Sequence, residues 1–287
     1  MMIAKEVATH NEERRPQMIL NSVQIAAFIL CVVFSSAVLG MRLSRRLPDH
    51  HLSAEAKATV SVSMAVVGTM TALVIGFLIS NANSSFNARN ATVSLLSSNI
   101  SQLDALLRRY GPETAAIRDI LQRFTATKLE DLFADRADGK HNVDSPATAR
   151  MLDDVEDRIL ALKPADDRQR WLSAEALRLA ADVGAARSLL VQQNVNSLPL
   201  PFVGVVVLWL IVVYGSFGLF APRNATTVVA LFFSVLAVSM AFKLVLDLDN
   251  PFDRGIRVTP PPIRISGEPL RHALETIRQE GRQEGRQ

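Results

Sequence analysis

The chain is 287 residues long, 49% hydrophobic and 21% charged, with a formal net charge of +3, a pI near 9.3 and a mean hydropathy of +0.19. That average conceals four nearly uncharged stretches of about 20 residues, the length that crosses the ~30 Å hydrocarbon layer of a bilayer at ~1.5 Å per residue. They exclude an ordinary soluble enzyme; dispersed basic residues with only 6% aromatics argue against a nucleic-acid surface, and the lone Cys31 excludes an internal disulfide and thiolate metal sites.

Residues 1–18 read as an N-terminal tail, 19–79 as two transmembrane helices, 80–197 as a helical extramembrane domain, 198–246 as two further transmembrane helices, and 247–287 as an exit motif, Pro-rich linker and amphipathic tail. The first apolar run, 19–39, lies between Arg14, Arg15 and Arg42, Arg45, Arg46. It exceeds the ~7–15-residue core of a signal peptide and reads as a retained span. The second run, 60–79, is interrupted only by Ser61, Ser63, Thr69 and Thr71, and no Pro or Gly then follows until Gly111. One helix of about 50 residues is therefore predicted to leave the bilayer without a break, ~75 Å long. Val93, Leu96, Ile100, Leu103, Leu107 and Tyr110 form an apolar seam along it that needs a partner helix or a neighbouring subunit.

Gly111-Pro112 ends that helix and starts another, with Ile117, Ile120, Leu121 and Phe124 on one face. Residues 135–144 have loop composition, and Ser145-Pro146 reads as an N-cap and first helical residue ahead of Leu152, Val155, Ile159 and Leu162. After the Lys163-Pro164 stop, Asp166 is placed to cap a helix bearing Leu172, Ala176, Leu179, Val183, Ala186 and Leu190. The polar region is thus predicted to be a four-helix assembly, ending at a break near Pro199 and Pro201. Runs 202–220 and 227–246 are joined by six residues as a tight hairpin. Beyond Pro260-Pro261-Pro262, a short helix sets Leu270, Ala273, Leu274 and Ile277 against Arg271 and Arg278, to lie on the membrane or dock on the domain. The terminal Glu-Gly-Arg-Gln repeat reads as disordered.

Four segments carry a family likeness: GTMTALVIGFLISNANSSFN at 68–87, LDALLRRYGPE at 103–113, SFGLFAPRNAT at 216–226 and LDLDNPF at 246–252. In order, spacing and placement they resemble the bestrophin-like membrane proteins of bacteria, over about residues 52–277. The resemblance implies an all-α membrane protein with four transmembrane helices and a helical domain inserted between the second and third. It also implies kinship to bestrophin anion channels, which are pentamers with the second helix lining the pore and are calcium-gated in animals. One departure is visible: the family's Pro-Phe-x-Gly exit is here Pro251-Phe252-Asp253-Arg254-Gly255.

Ser61, Ala65, Thr69, Ala72, Gly76, Ser80 and Ser84 place small residues along one face of the second span. Such a face lets helices approach closely in lipid. Alternatively, with Asn81, Asn83 and Asn87, it lines a pore whose hydroxyl and amide donors replace part of an anion's hydration shell. Lys243 precedes Asp247 by four residues at the membrane boundary, as a snorkelling anchor or as a charge at a pore mouth. Asp247, Asp249 and Asp253 read as caps of the exit turn or, alternatively, as carboxylates for a divalent cation. Arg223 reads as an interfacial anchor or a lipid-phosphate contact, and Arg108, Arg109 and Glu113 as exposed ion pairs at the Gly111 corner. His10, His50, His51, His141 and His272 show no paired metal-ligand spacing. No catalytic or cofactor motif is present, so a non-enzyme without cofactor is expected.

Four spans put the N-terminus, the helical domain and the C-terminus on one side. The basic residues near the span ends nearly tie, and the resemblance favours a cytoplasmic domain on a protein of the cell (inner) membrane. The expected partners are the lipid bilayer, further copies of the chain and an inorganic anion. The function expected is an oligomeric anion channel; the alternative is a non-conducting membrane scaffold or sensor whose helical domain binds a partner.

Overall fold

In the computed structural model, which describes residues 22–48, 53–133, 143–195, 200–222, 224–249 and 265–284, eight α-helices follow one another and no strand occurs among the described residues. They are α1 (Ser22–Leu43), α2 (Ala54–Tyr110), α3 (Ala115–Phe133), α4 (Pro146–Leu160), α5 (Asp167–Val195), α6 (Leu200–Phe220), α7 (Ala225–Asp249) and α8 (Glu268–Glu284). Of these, α1, α2, α6 and α7 are long and apolar enough to cross a membrane. The chain is an all-α membrane protein with four spans.

The second span begins where Ser53 Oγ accepts the Ala56 amide at 3.2 Å, an N-cap that the sequence reading did not single out. From there α2 runs 57 residues, about 85 Å, without interruption. Three of its membrane hydroxyls fold back on their own helix: Ser63 donates to the Thr59 carbonyl, Thr69 to Ala65 and Thr71 to Val67. Polar groups are thereby satisfied in lipid without a second chain. The helix stops at Gly111, whose φ of +140° is a conformation that side chains disfavour. Beyond it Thr114 Oγ1 donates to the Leu107 carbonyl at 2.6 Å and takes up an end group that the helix leaves open.

Two apolar clusters share this helix. The polar half of α2 contributes Val93, Leu96, Ile100, Leu103 and Leu107, packed with Leu121 and Phe124 of α3, Val155 of α4, Val183 and Leu190 of α5 and Leu270 of α8. The seam therefore does not wait for a neighbouring subunit, because α5 of the same chain lies along it. The C-terminal helix docks on α2 and α3 through Leu270, Ala273, Leu274 and Ile277 and does not stay on the membrane surface. It extends to Glu284, so the first copy of the terminal repeat is helical where disorder was expected.

In the membrane half, Ile29 and Val33 of α1, Leu78 and Ala82 of α2, Val206 and Leu210 of α6, and Val235 and Phe242 of α7 form the second cluster. Phe86 packs against both clusters. The expected tight hairpin of the last two spans is short in its turn but not close along its length. Apart from a 2.7 Å Tyr214–Ser234 hydroxyl pair, α6 and α7 touch sparsely, and α1 packs on both. Its contact with α6 is the most extensive helix pair, since Ala37 and Gly40 lie against Gly215 and Gly218 with no room for a Cβ on Gly40 or Gly218.

Asp166 caps α5 as expected: its Oδ1 accepts the Gln169 amide at 2.6 Å, while Gln169 Oε1 accepts the Ala165 amide at 2.8 Å. Ser145 differs. Its side chain makes no cap hydrogen bond and Pro146 starts α4, while the Ser145 carbonyl accepts from Thr148 Oγ1 at 2.9 Å and Arg187 Nη2 at 3.2 Å. Residues 1–21, most of the 135–144 loop, Pro199, Arg223, and the exit from Asn250 through the Pro-rich linker lie outside the described residues.

Candidate functional site: the outer face of the second span and its boundary collar

All seven small residues of the second span, Ser61, Ala65, Thr69, Ala72, Gly76, Ser80 and Ser84, are exposed. The opposite side of the helix, with Thr71, Leu78 and Ala82, is the one that packs on α6 and α7. A Cβ added at Gly68 or Gly76 would meet nothing, in contrast to Gly40 and Gly218. Close packing by small residues inside the chain is thus carried by α1 and α6. Beside the small row stand Val62, Val66, Met70, Leu73 and Phe77, and Leu73 and Phe77 are 70% and 67% exposed. Asn81, Asn83 and Asn87 continue the exposed face toward the polar half. The hydroxyls of the row are not equivalent: Thr69 already donates to the Ala65 carbonyl, whereas Ser61, Ser80 and Ser84 donate to no group among the described residues.

At the domain end of the bundle, Lys243 Nζ stands 2.5 Å from Asp247 Oδ2, and Ser22 Oγ donates to Asp247 Oδ1 at 2.6 Å. Both charges are mostly covered, so Asp247 ties the end of α7 to the start of α1 and holds the ammonium in place. Asp249 does not join that pair. Its backbone carbonyl accepts from Arg89 Nη1, while Arg89 Nε and Nη2 both reach the Gln193 carbonyl, at 3.2 and 2.9 Å. Gln193 Nε2 in turn donates to Thr92 Oγ1 at 3.1 Å. Arg89 is 2% exposed and was not singled out from the sequence. The available signal was isolation: it is the only charged residue between Lys57 and Asp104.

Arg118, Asp104 and Lys128 are also buried charges, and they stand among other charged residues with no such signal. Arg118 Nε meets Asp104 Oδ1 at 2.9 Å under the Gly111 corner. Lys128 is fully buried and donates to the Val143 carbonyl at 2.7 Å. Burial, reinforced by Arg187 and opposed by Asp131 and Asp144, lowers its pKa to about 8. No group of three or more His, Cys, Asp or Glu that could hold a metal ion occurs among the described residues, and Asp253 lies outside them.

Four spans, a second helix that continues far out of the membrane and a collar of buried charges at the boundary define a helical integral membrane protein. Residues 31–263 match the Bestrophin-like domain family, and the chain belongs to that family. Among solved structures, two variants of a bacterial bestrophin homologue from Klebsiella pneumoniae superpose with TM-scores of 0.62 and 0.60 at 17% and 16% identity, covering 90% and 91% of this chain and 96% and 99% of theirs. A third structure of that homologue, phased on zinc, gives 0.57 at 15% identity, covering 89% of this chain and 97% of its own. A comparison with curated protein sequences gives no match.

Proposed function

We propose that the protein is an oligomeric anion channel of the cell membrane, with the exposed face of α2 turned toward the axis of the assembly. The observation that carries this reading is the position of Ser61, Ala65, Thr69, Ala72, Gly76, Ser80 and Ser84, an unbroken row of small and hydroxyl residues that the chain leaves uncovered on its least buried span. Only 11% of that membrane window is buried, against 22–28% in the other three. A span so little covered by its own chain calls for further copies around it. Ser80, Ser84, Asn81, Asn83 and Asn87 supply uncharged donors that can take over part of an anion's hydration shell without trapping it. Residues 80–197 are assigned to the cytoplasm, with the Lys243–Asp247 pair at the cytoplasmic boundary. The assignment gives the chain no catalytic step.

Chloride flux into liposomes containing the purified protein tests this reading. The row predicts that Gly76→Leu changes conductance while the assembly seen by native mass spectrometry stays intact. Liposomes that pass no chloride, bicarbonate or cation at any calcium concentration would instead favour a non-conducting scaffold whose helical domain binds a partner.

A further inference from the structure

At the end of the membrane bundle away from the helical domain, α6 and α7 diverge from their turn and the first turns of α2 pass beside the gap. A cleft of about 220 Å³ results. Val60 and Met64 of α2, Phe217 and Phe220 of α6 and Leu231 of α7 form its walls, and Lys57 stands at its rim. The only side-chain hydroxyls on the lining belong to Ser61 and Ser216, too few for a settled water cluster. Lys57 lies three residues before the second apolar run, at the depth where a lysine reaches the headgroup layer, and has no acidic partner among the described residues. On the same side α1 ends in Arg42, Arg45 and Arg46, which raise the local positive potential.

We infer that this cleft binds an anionic phospholipid, with the headgroup phosphate on the Lys57 ammonium and one acyl chain lying along Met64, Phe217 and Phe220. The apolar walls need a hydrocarbon occupant because an empty groove at this depth forfeits its dispersion contacts. Lys57 selects the charge of the headgroup. A zwitterionic lipid would fill the walls equally well, but it brings its own quaternary ammonium beside its phosphate and so offers Lys57 no net negative charge.

The full-length protein reconstituted in vesicles of equal phosphatidylglycerol and phosphatidylcholine, then extracted in mild detergent, gives the test by native mass spectrometry of retained lipid. Phosphatidylglycerol should be retained about five-fold over phosphatidylcholine, the preference expected of one lysine at an anionic surface. Lys57→Gln should bring the ratio close to one, and Lys57→Arg should keep it. Leu231→Trp, which fills the cleft, should lower the total lipid retained while the oligomer persists. Equal retention of both lipids by the wild-type protein overturns the inference, as does a preference that survives both Lys57→Gln and Leu231→Trp. Efficient cross-linking of Phe220→Cys to a neighbouring subunit in the vesicles would also overturn it, by showing that a second copy occupies the cleft.

Discussion

Arg89 of α2 donates to the backbone carbonyl of Asp249, the last residue of α7, and with its other nitrogens holds the Gln193 carbonyl near the end of α5. Carbonyls at helix C-termini have no intrahelical donor and carry the negative end of the dipole. One guanidinium therefore closes two helices, one from the membrane cluster and one from the polar cluster, against a third. Replacement by Met leaves both carbonyls without this donor in a buried place. Arg89→Met should cost on the order of 3 kcal/mol and lower the melting temperature in detergent. Arg89→Lys, a single point charge on a flexible stem, should recover only part. A variant melting with the wild type would mean that water replaces the guanidinium without loss.

Asp247 holds Lys243 and Ser22 together, so removal of the acid strands an ammonium near low dielectric. Asp247→Ala should reduce expression and thermal stability, and Lys243→Met combined with Asp247→Leu should restore much of the loss. A calcium role for this segment predicts the reverse pattern. A calcium-dependent thermal shift would disappear in Asp247→Ala and in Asp249→Ala, and the double apolar replacement would rescue neither.

Glycine substitutions should separate the two small-residue faces. Gly40→Ala and Gly218→Ala drive a methyl into backbone across the α1–α6 contact, which cannot yield as a side-chain tip would. Each should destabilise by about 1–3 kcal/mol. Gly76→Ala meets open space and should leave folding unchanged or slightly improved, since alanine is the better helix former. Melting curves of the three variants side by side decide the matter, and equal losses would contradict the assignment of close packing to α1 and α6.

Lys128 makes stability depend on pH. Its folded pKa of about 8 lies below the ordinary 10.5, so the unfolded chain holds the proton more tightly. Unfolding takes up a proton between those values. This group's contribution to stability therefore rises as pH increases from about 8 to about 10.5, by roughly 3 kcal/mol in total, and is flat below that window. In Lys128→Met the same rise should be absent from unfolding curves taken across the window, although the Val143 carbonyl then loses its donor. A wild-type profile already flat between those pH values would refute the assignment.

Periodicity made the helices legible and left their partners open. The seam from Val93 to Tyr110 announces that something covers it, yet its spacing is the same whether that is a subunit or a helix about 80 residues further on. The matching row from Leu172 to Leu190 was visible, and the structure pairs the two. The small row of α2 was conspicuous because it repeats; the contact made by Gly40, Gly215 and Gly218 was not, being three glycines within long apolar runs. Arg89 stands out only by its isolation, and Lys128 carries no pattern at all. Their meaning depends on carbonyls distant in the chain, Gln193 and Asp249 for one and Val143 for the other. Ser145 misled because Ser-Pro is an ordinary start signal, yet in the structure the helix starts there without a bond from the hydroxyl.

The 57 residues of α2 contain no proline and no break in their helical course between Ala54 and Tyr110. Thr69 and Leu103 are consequently stations on one shaft, and their angular offset is fixed by the helix itself. α5 and α8 pack on its polar end, and no loop separates that end from the row from Ser61 to Ser84. The domain half and the membrane row are thus built on one uninterrupted helix, with no loop between them that could let one turn independently of the other.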